Sequence, residues 1–225
     1  MQIVVLGAGF DTRWHRLHDR LSNVSRYVEL DFADVVRKKI DALGGTGPSR
    51  DPRYSLIPFD LTKAESLPNQ LQDAHLNPHR PLVFLLECCL MYMPKDRVAL
   101  LQETLIGYCR DHCEFIIFDV LFRNDVFSTV MVENFSRRGI ILDPITVKTK
   151  SDVLTTWNHL VPFKGSVQDL IELEASVYLD DLDRATLRVS LALDEYEEWT
   201  LIGQHYYFAV IHRMLARDVA NNLDA

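Results

Sequence analysis

The feature that most limits what this chain can fold into is a short apolar run, Gln2–Leu6, cut off by Gly7-Ala8-Gly9. A continuous apolar run of strand length, ended by glycine, reads as a strand buried on both faces. Glycines at its end let the backbone turn sharply and approach a ligand closely. Further strand-like segments follow at Arg26–Leu30, Tyr54–Pro58, Leu82–Leu86 (continuous and apolar) and Glu114–Leu121. Between them lie segments of helical character: about Thr12 to Leu21, Ala33–Leu43, Leu67–His75, and a stretch opened by Pro94-Lys95-Asp96. In that last stretch Val98, Leu101, Leu105 and Ile106 share one face. Strands alternating with helices predict βαβ units and a parallel sheet covered on both sides.

The second half changes character. Asp125–Arg138 reads as helix, Asp180–Trp199 contains helical stretches rich in acid, and Gln204–Ile211 alternates as a terminal strand. No linker or repeat interrupts the 225 residues, so they are expected to form a single domain, 1–225. A net charge of −8 argues against a basic groove for nucleic-acid phosphates. No apolar run reaches the roughly 18 residues that span a bilayer, and Met1 is followed by no basic leader, so a cytoplasmic protein with no membrane partner is expected.

Four cysteines are too few for a secreted disulfide scaffold of this length. Cys88 and Cys89 sit in an apolar run and read as reduced packing residues. Cys109-x-x-His112-Cys113 superficially suggests a metal site, but no second cluster follows at zinc-ligand spacing, so no metal is expected.

Acidic groups recur where strands end. Glu29-Leu30-Asp31 closes the second strand about 20 residues after the glycine loop, where a doubly wound sheet places an acid to hold ribose hydroxyls. Asp60-Leu61 closes the third strand and Glu87 the fourth. Each acid alone could be a helix N-cap. Together, at one sheet edge beside the loop, they point to a nucleoside-type cofactor. The loop lacks the third glycine of the dinucleotide fingerprint, and acids suit a cofactor cationic at sulfur better than a pyrophosphate.

At this point the residues resemble a known family. The segment 2–13, with Arg16-Leu17, resembles the opening of the leucine carboxyl methyltransferases, as does Tyr27-Val-Glu-Leu-Asp-Phe-Ala-Asp-Val-Val-Arg-Lys-Lys. Leu86-Glu87-Cys88-Cys89-Leu90-Met91-Tyr92-Met93 is similar to that family's Glu-Cys-x-Leu-x-Tyr segment. Asp125-x-Phe127-x3-Met131-x2-Asn134, Leu193–Trp199 and His205-Tyr206 match later segments in the same order. The resemblance implies a class I, Rossmann-like methyltransferase fold: α/β, doubly wound, with a mostly parallel seven-stranded sheet and an antiparallel last strand. It divides the chain into a cofactor-binding half, 1–121, substrate-side helices and C-terminal strands, 122–213, and a tail, 214–225.

The implied cofactor is S-adenosyl-L-methionine, held by Gly7, Ala8 and Gly9 at its amino-acid part. Asp31 would hold the ribose, Asp60 and Leu61 would flank the adenine, and Glu87 would approach the methionine portion, with Glu29 a secondary contact. The implied substrate is the C-terminal leucine α-carboxylate of the protein phosphatase 2A catalytic subunit. A terminal carboxyl with pKa near roughly 3.5 is already ionised at neutral pH, so no general base is assigned. Arg13, Arg16 and Tyr92, near the loop and the fourth strand end, are the candidates for holding it. His15, His18 and His205 read as packing or surface residues, and Tyr196 and Trp199 as packing beneath the acidic helices.

Related family enzymes act on the wybutosine base of transfer RNA, and Glu197-Glu198-Trp199 resembles them as well. Family members also carry a long segment ahead of the glycine loop, whereas here Met1 nearly touches the first strand. A chain that binds the cofactor without turnover is therefore a third expectation.

Overall fold

The computed structural model describes residues 1–45, 51–142, 147–158, 163–176, 180–191 and 196–213. Asp194, Glu195 and the tail 214–225 lie outside the described residues.

The first half is β1 (Gln2–Leu6), α1 (Arg13–Leu17), β2 (Arg26–Asp31), α2 (Ala33–Ala42), β3 (Tyr54–Pro58), α3 (Leu67–Asp73), β4 (Leu82–Glu87), α4 (Lys95–Tyr108) and β5 (Cys113–Val120). The second is α5 (Val126–Arg137), α6 (Lys150–Asn158), β6 (Phe163–Asp169), α7 (Leu170–Glu174), α8 (Asp181–Leu191), α9 (Tyr196–Gly203) and β7 (Tyr206–Arg213). The first helix is shorter than expected. After Leu17 the chain goes into turns, with Arg20 and Leu21 N–H groups on the Leu17 carbonyl, because Ser25 must already pair with Met1 at the foot of β2.

All seven strands form one sheet in the order β3-β2-β1-β4-β5-β7-β6. The pairs among β1 to β5 are parallel, and β7 runs antiparallel to both its neighbours. This is the sheet that the resemblance implies. The chain winds outward from β1 through β2 to β3, then returns to add β4 on β1's other side. A crevice must therefore open above the ends of β1 and β4.

Side chains alternate across the sheet and so feed two cores. Val4, Leu6, Phe84, Leu86, Phe115 and Ile117 face one side, where α3, α4 and α6 bring Leu67, Leu71, Leu101, Leu105 and Trp157. Phe115 stacks on Phe84 at 5.2 Å and meets Trp157 at 4.4 Å between ring centroids. On the other side Val5, Tyr27, Tyr54 and Leu56 pack under Trp14 of α1 and Val36 of α2. Each fully buried large side chain is worth about 1.5–3 kcal/mol.

Two further differences concern the second half. β6, Phe-Lys-Gly-Ser-Val-Gln-Asp, carries no continuous apolar run because it is an edge strand with one partner. Its Gly165 is needed for pairing, since a Cβ there would stand 2.6 Å from the Val210 carbonyl oxygen. Tyr196 does not pack beneath a helix but is 56% exposed, while Trp199 is partly buried and donates Nε1–H to Glu174 at 3.0 Å.

Candidate functional site

Strand register builds the crevice. Leu6 is aligned with Leu30 on β2 and with Leu86 on β4. The next residues, Gly7, Asp31 and Glu87, thus leave three adjacent strands at one level. Gly7 turns with φ +68°, and its N–H and that of Ala8 both donate to the Leu30 carbonyl at 2.9 and 3.1 Å. A Cβ on Gly7 would stand 2.7 Å from the Cβ of Cys89. Gly9 also has positive φ, +49°, but a Cβ there would meet nothing within 4 Å. Its N–H donates to Asp31 Oδ2 at 2.6 Å, which ties the loop to the end of β2. Asp31 Oδ1 accepts from Phe32 N at 2.7 Å.

The acids divide by role. Asp31 lines a cavity of about 270 Å³ with Gly7, Phe32, Phe59, Leu61, Thr62, Cys88, Cys89, Tyr92 and Met93. Asp60 stands behind Thr62 rather than in the wall: it caps the 3-10 turn Leu61–Ser66, accepting from Thr62 N at 3.0 Å and Thr62 Oγ1 at 2.7 Å. Glu87 is exposed and pairs with Arg13 Nη2 at 2.7 Å. Glu29 is not brought to the crevice. Its carboxylate is fully buried and is held by Lys39 Nζ of α2 at 2.5 Å and the Tyr54 hydroxyl at 2.8 Å. Burial raises its pKa, while the Lys39 and Tyr54 contacts pull it down.

The three cationic or hydroxyl candidates separate as well. Arg13 is bracketed by acids: Nε meets Asp11 Oδ2 at 2.8 Å, and Nη2 meets Glu87. It lines a neighbouring hollow of about 320 Å³ with Leu85, Leu86 and Glu87. Arg16 is exposed and bonds Thr12 Oγ1 at 2.9 Å, one turn back on its own helix. Tyr92 is the candidate that lines the cavity, 46% exposed, and burial, followed by neighbouring Cys88 and Asp119, raises its pKa and keeps its phenol protonated. The Cys88 thiol is pushed up to about 12 by burial and by Asp119 and Glu87, so it is neither thiolate nor nucleophile. His205 is buried between Asp125 Oδ2 at 2.7 Å and the Leu201 carbonyl at 2.6 Å, a packing role.

Three residues that sequence reasoning passed over belong here. Phe32 and Phe59 supply apolar walls, and both follow a strand end directly, which is a readable signal. Asp119 is the third. It is buried on β5 and holds the 3-10 turn Leu90–Tyr92 by accepting from Leu90 N at 3.1 Å and Met91 N at 3.3 Å. That turn contributes to two cavities: Tyr92 lines the 270 Å³ one, and Leu90 and Met91 line a second of about 370 Å³ with Val98, Asp119, Phe122 and Trp157 among others.

Burial lifts Asp119 to about 6 against the pull of the Val120, Met91 and Leu90 N–H groups. A carboxyl raised on folding adds stability that is full below its unfolded pKa and lost as pH rises through the folded one. Relative to Asp119→Asn, the native chain should therefore gain about 1.4 kcal/mol of unfolding free energy between about pH 7.5 and about pH 5. Urea titrations at both pH values test this, and an unchanged difference contradicts it.

Seven strands in this order, closed by one antiparallel strand, with a glycine loop and an acid at the switch point, define a class I methyltransferase fold. A candidate methyltransferase from Thermobifida fusca superimposes with TM-score 0.68 at 17% identity, over 96% of this chain and 73% of that one. A phosphoethanolamine N-methyltransferase from Haemonchus contortus, solved with S-adenosyl-L-methionine, gives TM-score 0.54 at 8% identity over 95% of this chain and 48% of that one. Residues 1–106 match the family model described as Leucine carboxyl methyltransferase. A probable leucine carboxyl methyltransferase 1 of Caenorhabditis briggsae is 28% identical over 91% of this chain and 67% of its own length. The chain is thus similar to leucine carboxyl methyltransferases, through the family model over residues 1–106 and through this relative over most of its length.

Proposed function

We propose that this chain binds S-adenosyl-L-methionine above β1, β2 and β4 and transfers its methyl group to a carboxylate, the C-terminal leucine α-carboxyl of the protein phosphatase 2A catalytic subunit, in the cytoplasm. The observation that carries the reading is the level set by register: Gly7, Asp31 and Glu87 end three adjacent strands together, Gly7 and Asp31 lining the 270 Å³ cavity and Glu87 the neighbouring hollow. The residues present suit that cofactor. Gly9 leaves open space where a side chain would stand, Asp31 offers a carboxylate to ribose hydroxyls, and Phe32, Phe59, Leu61 and Met93 make an apolar slot for a purine. Asp11, Asp31 and Glu87 give the loop the negative character that a sulfonium wants.

When bound, the cofactor supplies a methyl group on a good leaving group. Transfer would exchange its S–CH3 bond for an O–CH3 bond at the carboxylate, leaving S-adenosylhomocysteine. The chain's part is to orient and to dry the site. Protonated Cys88 and Cys89 and the walls around them offer no competing nucleophile. The Tyr92 phenol donates to the carboxylate. Arg13 acts from behind, holding Glu87 and Asp11 in place. No helix among the described residues is long and apolar enough to cross a membrane.

Calorimetry with S-adenosylhomocysteine is expected to show one site, and labelled methyl should enter a peptide ending in leucine but not its amide. Binding without labelling would leave a cofactor-binding protein that does not turn over. Label in transfer RNA instead would move the substrate to the nucleic-acid branch of the family. Absence of binding would remove the cofactor assignment.

A further inference from the structure

At the foot of the sheet, far from the crevice end of the strands, three metal-ligating side chains converge. His112, Glu114 and His212 each present a donor atom, and all three atoms lie within 4.8 Å of one another. Strand geometry makes the cluster. Glu114 on β5 is directly opposite His212 on β7, and His212 Nδ1 stands 3.0 Å from Glu114 Oε2. His112 precedes Glu114 by two residues, which puts both on one face while Cys113 between them turns into the core. Its carbonyl accepts from Leu82 N at 3.1 Å, so the backbone there is tied to β4. The two imidazole rings lie 6.4 Å apart at 29°. The sequence cluster Cys109-x-x-His112-Cys113 thus splits: Cys109 and Cys113 are buried free thiols, and the histidine joins partners that include His212 from the other end of the chain.

We propose that His112, Glu114 and His212 form a site for a divalent ion of the zinc type that clamps β5 to the closing strand β7. Two imidazoles and one carboxylate are a donor set that zinc prefers, with water in the fourth position. Zinc–ligand bonds of about 2.0–2.1 Å put tetrahedral donors roughly 3.3 Å apart. The Glu114–His212 pair is already at that spacing. The exposed His112 has to close by about 1.5 Å at most, within reach of a side-chain rotation. The exposed Lys164 faces His212 from β6, and its charge weakens the site without filling it. As a cross-strand ion pair, Glu114 and His212 would need no third ligand; the convergence of His112 is what the proposal explains.

The test is calorimetric titration of the full chain with zinc chloride, repeated on His112→Ala and His212→Ala. His112→Ala leaves the cross-strand pair untouched, and circular dichroism confirms that each variant is folded. One equivalent of zinc is expected on the native chain, with affinity at least tenfold weaker in either variant. Cobalt chloride should produce visible absorption in the native chain and not in His112→Ala. No zinc binding to the native chain, or binding unchanged in His112→Ala, overturns the proposal.

Discussion

Gly7→Ala is expected to lower affinity for S-adenosylhomocysteine at least about 100-fold, or about 2.7 kcal/mol, and to destabilise the fold. Two penalties act at this residue. Its φ of +68° costs an L side chain about 1–2 kcal/mol. The new methyl would also stand 2.7 Å from the Cys89 Cβ, an atom fixed to the backbone and unable to swing away. Either the loop lifts off β4 or the segment Cys88–Met93 retreats, at a further cost of about 1–3 kcal/mol. Both movements deform the cavity that Gly7, Cys89 and Tyr92 share. Gly9→Ala is the control for stability alone. Among the described residues nothing lies within 4 Å of its Cβ, so it pays only the conformational penalty within the protein and should cost about 1 kcal/mol of stability. Calorimetry and thermal melts of both variants separate the two effects. Unchanged binding by Gly7→Ala would show that the loop is only a turn.

Much of this site was legible because buried parallel strands write themselves as apolar runs, and their ends are then easy to find. Gly7, Asp31 and Glu87 followed from that alone, and strand register brings them to one level. What was not legible depends on contacts between distant segments. β6 has a polar sequence because it needs only one neighbour, and β7 supplies it. Asp119 looks like an ordinary strand residue until the turn after β4 lies against it. Arg13 could be placed near the loop, but not its double engagement by Asp11 and Glu87. Asp60 took its capping role from Thr62, two residues on, a signal that competes with any ligand role. Glu29 shares the face of Asp31 on β2, so parity alone could not divide them. The readable clue lay in α2, where Lys39 follows Val36 by three residues and so falls on the helix's buried face. A lysine there requires a buried acid.

That pair carries the second large expectation: Lys39→Met should destabilise the chain by about 3–5 kcal/mol at neutral pH. Glu29 and Lys39 are 0% and 3% exposed at the side chain, so neither can turn to water. Among the described residues Glu29 Oε1 has no hydrogen-bond partner, and removing the ammonium leaves the Tyr54 hydroxyl alone on Oε2. The hydrophobic replacement fills the space but strands a charge. The pH dependence has a definite sign. Burial already raises the Glu29 pKa, and Lys39 is the main influence pulling it back. Without Lys39 it rises further, so the variant folds with its carboxyl protonated as pH falls towards the unfolded value of about 4.3. The deficit against the native chain should therefore be largest at about pH 7.5 and shrink at about pH 5. Glu29→Gln combined with Lys39→Met should restore most of the loss, because a neutral amide can still accept from Tyr54. Urea unfolding of the single and double variants at both pH values decides it: a deficit that neither acid nor Glu29→Gln relieves would mean that lost packing, not stranded charge, is the cause. The location makes the outcome matter for the crevice. Tyr54 stacks on Trp14 at 5.4 Å, and Trp14 shares its core with Ala8 of the glycine loop. Relaxation around Glu29 therefore reaches the loop from beneath, and weaker S-adenosylhomocysteine binding should accompany the stability loss and recover with it in the double variant.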